Sequence, residues 1–546
     1  MSDQLDLVFA GGAVFCPDGR FATVVGVRAG RIVAVGGDQV RDLAGPASEQ
    51  VDLAGGLLVP GFQDAHVHPV QGGLERMRCD LTGEFARDAY LARIREYADT
   101  HPELEWITGG GWSMAPFPGG TPTAADLDTV VSDRPVFLPN RDHHGAWVNT
   151  RALDLAGLDA TTPDPPDGRV ERDESGAPSG TLHEGAMDIV GRLVPADTDE
   201  DRRSALLEAQ TFLHSLGITA WQDAIIGSYA NIEDAAGAYL SLESEGKLTA
   251  KVVGALWWQR DRGAEQIPEL IERREALTST RFRATSVKIM QDGVAENFTA
   301  GMIEPYLDGH GARTSNRGIS FVDPAQLLAH VTSLDAAGFQ VHIHAIGDRA
   351  IREALDAFAA ARHSNGANDH RHHLAHIQVI QPADIGRFAA LGVTANMQPL
   401  WAANEPQMVD LTIPFLGAQR AGWQYPFASL AASGARLAGG SDWPVSSPNP
   451  LWGVHVAVNR QLPVGEGGEG YEPLLPHESL DLRTALTAYT AGSAFVNHLD
   501  DTGSIAEGKV ADLVVLDRNP FIGPAEAIAE TRVLATYVEG QPVYTA

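Results

Sequence analysis

Eight short runs rich in β-branched and aromatic residues recur along the chain, each starting after a glycine or polar break and ending in a polar residue. They are LLVPGFQDAHVH (57–68), GITAWQD (217–223), KVVGALWW (251–258), TSVKIMQD (285–292), FQVHIHAIGD (339–348), RHHLAHIQ (371–378), GVTANMQP (392–399) and ARLAGGSDWP (435–444). From the second onward, most starts are separated by roughly the thirty-odd residues that a strand–helix–strand unit needs. The helices between them have legible ends. Asp323 and Pro324 stand where an N-cap and a first-turn proline belong, Leu327, Leu328, Val331 and Leu334 share one face, and Gly338 closes the segment. Pro382, Ile385, Phe388 and Gly392 repeat the device on a shorter helix. Strands alternating with helices, eight times over, predict an α/β fold, a (β/α)8 TIM barrel closed from parallel strands.

Two stretches fall outside that rhythm. Short alternating strands with glycine turns before the barrel (LDLVFAGGAVF, VGVRAGRIVAVGG) and after it (ADLVVLDRNP, RVLATYVEGQPVY) predict a small β-sandwich built from residues 1–60 plus 500–546, with the barrel over 61–499. Residues 70–200, rich in Gly, Pro and Asp, are too long for one loop and predict an inserted subdomain capping the barrel mouth.

A chain of 546 residues can bury a large core. Its formal net charge of -31 repels nucleic acid and anionic membrane surfaces, so neither is an expected partner. The N-terminus lacks a basic segment followed by an apolar one, and no run of about 18 apolar residues occurs. A cytoplasmic location is therefore expected, with a homodimer as the commonest assembly. The two cysteines, Cys16 and Cys79, provide neither a disulfide framework nor a cysteine metal site and are expected to be small buried apolar groups.

The catalytic end of such a barrel is the C-terminal end of its strands. His66 and His68 end the first run, and residues two apart on a strand face the same side, so both imidazoles can address one ion. Lys288 lies in the fourth run, His344 in the fifth, His376 in the sixth, and Asp442 at the end of the eighth. A lone strand histidine is more often a hydrogen-bonded core residue than a ligand, and an Asp after small residues can be a helix cap. Six positions matching strand ends are harder to assign to chance.

The motifs LLVPGFQDAHVHP, VKIMQDG, VHIHAIGD, HIQ and GGSDWPV, with the tail GSIAEGKVADLVVLD, resemble the amidohydrolase superfamily, and within it the branch (amidohydrolase family 3) that contains YtcJ-type proteins and N-substituted formamide deformylases. The resemblance spans almost the whole chain and includes RDHHGAWVNTRAL, a substrate-facing element of that branch. It implies one or two divalent metals, zinc by preference and binuclear by preference. His66 and His68 would hold the more buried metal, His344 and His376 the more exposed one, with Lys288 as a bridging carbamate and Asp442 as ligand and general base. A single metal on the first histidine pair, one later histidine and Asp442 is the other arrangement. Zinc lowers the pKa of bound water from about 15.7 to about 7, supplying a hydroxide nucleophile at neutral pH. A lysine near its reference pKa of about 10.4 cannot react with carbon dioxide, so carboxylation of Lys288 requires burial; pairing with Asp292 is the competing role. The branch commonly has Glu where this chain has Ala375, which puts a local contact in question. His372 and His373 are expected on the solvent side.

Trp112, His143, His144, Trp147, Phe298 and Trp401 are the candidate substrate contacts, aromatics near a barrel mouth suiting a small, partly apolar substrate. His144 is the candidate polar contact. The function this implies is hydrolysis of a C–N bond in an amide, N-formyl or carbamate-like substrate by metal-activated hydroxide. Alternatives are a deaminase or esterase on the same scaffold, or a non-catalytic relative, which would be expected to lose metal ligands. No GxxxxGK[ST] is present, and no G-x-G-x-x-G opens a helix after a strand.

Overall fold

In the computed structural model, which describes residues 4–16, 19–229 and 232–546, the central sheet has eight strands. They are β1 (Phe62–Val67), β2 (Ile218–Ile226), β3 (Lys251–Trp257), β4 (Phe282–Met290), β5 (Gln340–Ala345), β6 (His373–His376), β7 (Thr394–Met397) and β8 (Leu437–Gly439). Each pairs in parallel with the next, in sequence order from β1 to β8. All eight coincide with the runs read from the sequence. In the first run, Leu57–Pro60 is a separate strand of the small β domain, and Gly61 marks the switch. A Cβ at Gly61 would strike the side chain of Thr219, so only glycine lets the chain pass there.

The ring closes without a β8–β1 ladder. Just past β8 the Asp442 N–H donates to the His66 carbonyl at 2.8 Å, and the His68 N–H donates to the Trp443 carbonyl at 2.8 Å. The Ser441 N–H adds a bond of 3.1 Å to Asp64 Oδ1. The first two of these bonds are thus made by main-chain atoms and involve residues that carry the candidate ligands.

Helix α1 (Pro69–Arg76) follows β1 directly, and α2 (Asp199–Ser215) precedes β2 behind a capping box made by Thr198 and Asp201. Helix α3 (Pro324–Ala336) starts on Asp323, whose carboxylate accepts from the Ala325 and Gln326 N–H groups, and α4 (Pro382–Leu391) ends on left-handed Gly392. Apolar strand and helix faces, including Trp221, Phe282, Leu327 and Ile343, form the main core.

Both termini build the small β domain. A four-stranded sheet containing Leu5–Ala10 faces a six-stranded sheet in which Leu513–Leu516 runs antiparallel to Leu57–Pro60. Phe9, Val25, Leu58, Leu513 and Tyr537 are buried between them. A third sheet of six strands, from Cys79–Asp80 to Pro178–Glu184, belongs to the long stretch between β1 and α2. Cys16 and Cys79 are both buried. No helix among the described residues is long and apolar enough to cross a membrane.

Candidate metal centre

The side chains at the strand ends converge on Asp442. Its Oδ1 lies 3.0 Å from His66 Nε2 and 3.0 Å from His68 Nε2, and its Oδ2 lies 3.9 Å from His376 Nδ1. Donor atoms of His66, His376 and Asp442 all fall within 4.8 Å of one another. The His344 ring stands 4.4 Å from that of His376, centroid to centroid, and Lys288 is buried on β4 in the wall of the same cavity. Strand geometry brings them together: His66 and Val67 end β1, and β5 and β6 deliver His344 and His376 side by side. His376 (φ 75°) and Asp442 (φ 57°) adopt left-handed backbone, as do His143 (φ 61°) and Glu184 (φ 51°) in the cavity wall. Non-glycine residues held there cost energy and concentrate at functional sites.

Electrostatics favour a cation. Burial pushes His66 down to about 3, with Lys288 adding to the effect, and burial likewise holds His344 and His376 well below the usual imidazole range. All three are therefore neutral, the form that ligates metal. Burial pushes the Asp442 carboxyl up, but the facing His66, His68 and His376 outweigh it and hold it well below the carboxylate range. Burial lowers Lys288 to about 7. Asp292, the competing partner for Lys288, is occupied otherwise: it accepts the N–H groups of Ile346 at 3.0 Å, Gly347 at 2.8 Å and Gly301 at 2.8 Å.

The centre opens into a cavity of about 190 Å³ whose walls include His143, His144, Glu184, Met290 and Trp401. A second cavity of about 440 Å³ adjoins it and shares Glu75, Asp142, Val294, Trp401 and Val445. His144 Nδ1 pairs with Glu184 Oε2 at 2.9 Å, and His143 Nε2 faces Glu75 Oε1 at 3.1 Å. Trp401 lies flat against His376, with ring centroids 5.1 Å apart and planes 2° from parallel.

Three expected substrate contacts are placed elsewhere. Trp112 and Trp147 line neither cavity. They are fully buried in the inserted subdomain, where their indole N–H groups donate to the carbonyls of Leu138 and Thr123 at 2.8 Å. Phe298 packs edge-on against Tyr306 and Phe415 instead of facing the cavity. Aromatic residues in glycine-rich segments look alike in sequence whether they pack a subdomain or face a ligand. His373, expected toward solvent, is fully buried inside the barrel, with its Nε2 3.0 Å from Gln222 Oε1. His372 is the outward neighbour, stacked on Phe358 and bonded to Asp335. Glu75 and Glu184, which orient the two cavity histidines, carried no sequence signal, since each is distant along the chain from its partner.

Residues 49–544 match the family model described as "Amidohydrolase family". The chain belongs to the amidohydrolase family. It is 30% identical over 505 residues to putative amidohydrolase YtcJ of Bacillus subtilis, covering 91% of each chain. It is 28% identical to the N-substituted formamide deformylase of Arthrobacter pascens, covering 99% of this chain and 98% of that one. Among solved structures, an uncharacterized metal-dependent hydrolase from Pyrococcus horikoshii superposes with a TM-score of 0.72 at 25% identity, covering 95% of this chain and 99% of that chain. The centre of this amidohydrolase fits a divalent ion. His376 Nδ1 is buried without a hydrogen-bond partner. Two imidazole nitrogens and that orphaned one surround a single ionised carboxylate, a set of N and O donors suited to zinc. Ala375, in the position read as commonly Glu, is fully buried on β6 beside His344, so no carboxylate enters the centre from there.

Proposed function

We propose that this amidohydrolase cleaves the C–N bond of a small, partly apolar amide, N-formyl or carbamate-like substrate, using a divalent metal held by His66, His68, His376 and Asp442. The observation that carries the reading is the convergence of three imidazoles on one buried carboxylate at the barrel mouth. When bound, the metal would acidify a water and polarise the scissile carbonyl. Asp442 Oδ2, the oxygen turned away from His66 and His68, would collect the water's proton and return it to the leaving nitrogen. His144, with Nδ1 committed to Glu184, keeps Nε2 for a substrate oxygen in the cavity it lines. His143 and Trp401 complete the contacts. The tight grouping of His66, His376 and Asp442 supports one metal in that set. His344, which burial keeps neutral, and Lys288, which burial lowers to about 7, remain available to a second metal, with Lys288 as a carbamate.

The test is metal analysis of the purified protein together with a screen of N-acyl and N-formyl amines, run on wild type and Asp442→Asn. Turnover lost by a factor of about 10³ or more with metal retained supports Asp442 as the base. Full turnover in metal-free protein would sink the proposal.

A further inference from the structure

A second His-x-His, in QVHIHAIGD on β5, places His342 one inward-facing position below His344. His342 is 0% exposed, and its Nε2 lies 2.8 Å from His66 Nδ1. We infer that His342 is a positioning residue for His66, accepting its Nδ1 proton so that Nε2 is offered to the metal as a lone pair. The inference rests on the reading above that His66 is a ligand.

The argument is one of tautomers. A neutral imidazole has one N–H and one lone pair. His66 Nε2 is the nitrogen facing Asp442, so ligation through Nε2 requires the proton on Nδ1. The described group in reach of Nδ1 is His342 Nε2, which must then be the acceptor. His342 in turn carries its proton on Nδ1, an atom buried with no hydrogen-bond partner. An unpaired buried polar atom is destabilising, and a residue chosen only to fill space would not need one. Other polar groups beneath the centre are already committed. Asp64 accepts from the His66 and Ser441 N–H groups. His373, whose ring lies 4.0 Å from that of His342, bonds to Gln222 and Asn396. Ligand histidines elsewhere lean on a carboxylate, a backbone carbonyl or water. Here the acceptor is neutral, which leaves Asp442 as the sole negative charge in the proposed set of four.

The experiment measures zinc affinity by chelator competition, and the melting temperature of metal-free protein, for wild type, His342→Leu and His342→Gln. The glutamine carbonyl can accept from Nδ1; leucine cannot. The inference expects zinc binding weakened about 10- to 100-fold in His342→Leu, recovery to within about 3-fold of wild type in His342→Gln, and a metal-free melting temperature in His342→Leu no lower than in wild type. His342→Met replaces His342→Leu should the latter not fold. An apolar variant that binds zinc as tightly as wild type, or a glutamine variant as weak as the apolar one, overturns the inference. Wild-type protein that takes up no divalent metal overturns the proposed function itself, a separate result.

Discussion

His144 Nδ1 and Glu184 Oε2 stand 2.9 Å apart in the cavity wall, and Glu184 is further anchored by the Thr299 hydroxyl at 2.7 Å. Burial disfavours a charged His144, yet Glu184 overrides it and raises the imidazole to about 9. The cavity therefore carries a fixed cationic donor. Glu184→Gln removes the counter-charge while keeping shape, and turnover should fall by about 10²-fold with metal content unchanged. Steady-state kinetics beside metal analysis checks this; an unaltered kcat would reduce the pair to packing.

Trp147 and Trp112, set 5.9 Å apart in the core of the inserted subdomain, should act through stability. Trp147→Ala is expected to cost about 3–5 kcal/mol in denaturant unfolding. The KM of the folded fraction should stay at the wild-type value. A raised KM with unchanged stability would return Trp147 to the substrate contacts.

Trp401 is the aromatic that does face both chambers, and it stacks on His376. Aromatic contacts of this kind contribute roughly 0.5–1.5 kcal/mol, so Trp401→Ala should weaken binding of aryl-bearing substrates by roughly 2- to 12-fold. Comparing KM for aryl and small alkyl substrates isolates the effect, and an equal loss on both would count against it.

Asp223, the ladder partner of Val67 across the first two barrel strands, gives a pH dependence of stability that can be tested. Burial raises its carboxyl to about 7, against the hydrogen bond from Tyr239 at 2.7 Å. Between the ordinary carboxylate range and about 7 the folded protein then holds a proton that the unfolded chain has released. Asp223 thus favours folding fully at low pH, and that contribution fades as pH rises to about 7, with a slope of up to about 1.4 kcal/mol per pH unit. Asp223→Asn should remove this slope. Unfolding free energies of both proteins from pH 4 to pH 8 decide it, parallel curves being the adverse result.

Much of this was legible in the sequence for a simple reason. Strand ends in a barrel are marked by where apolar runs stop, so His66, His68, Lys288, His344, His376 and Asp442 could be placed from local pattern alone. What pattern could not show is which residues meet from different segments. Glu184 reaches His144 across forty positions, and His342 reaches His66 across the barrel interior. The left-handed backbone at His376 and Asp442 was equally hidden, because nothing in those residue types announces it. Trp112 and Trp147 were misplaced because burial inside a subdomain and exposure to a ligand draw on the same side chains.

The peptide N–H groups of Asp442 and His68 join the last strand to the first separately from the contact between their side chains. Chemistry and architecture therefore occupy the same residues but separate atoms. A carboxylate-to-amide exchange can silence the reaction and leave the hoop fastened, whereas a residue without an amide proton at either position would loosen the hoop first and disperse the ligands as its consequence.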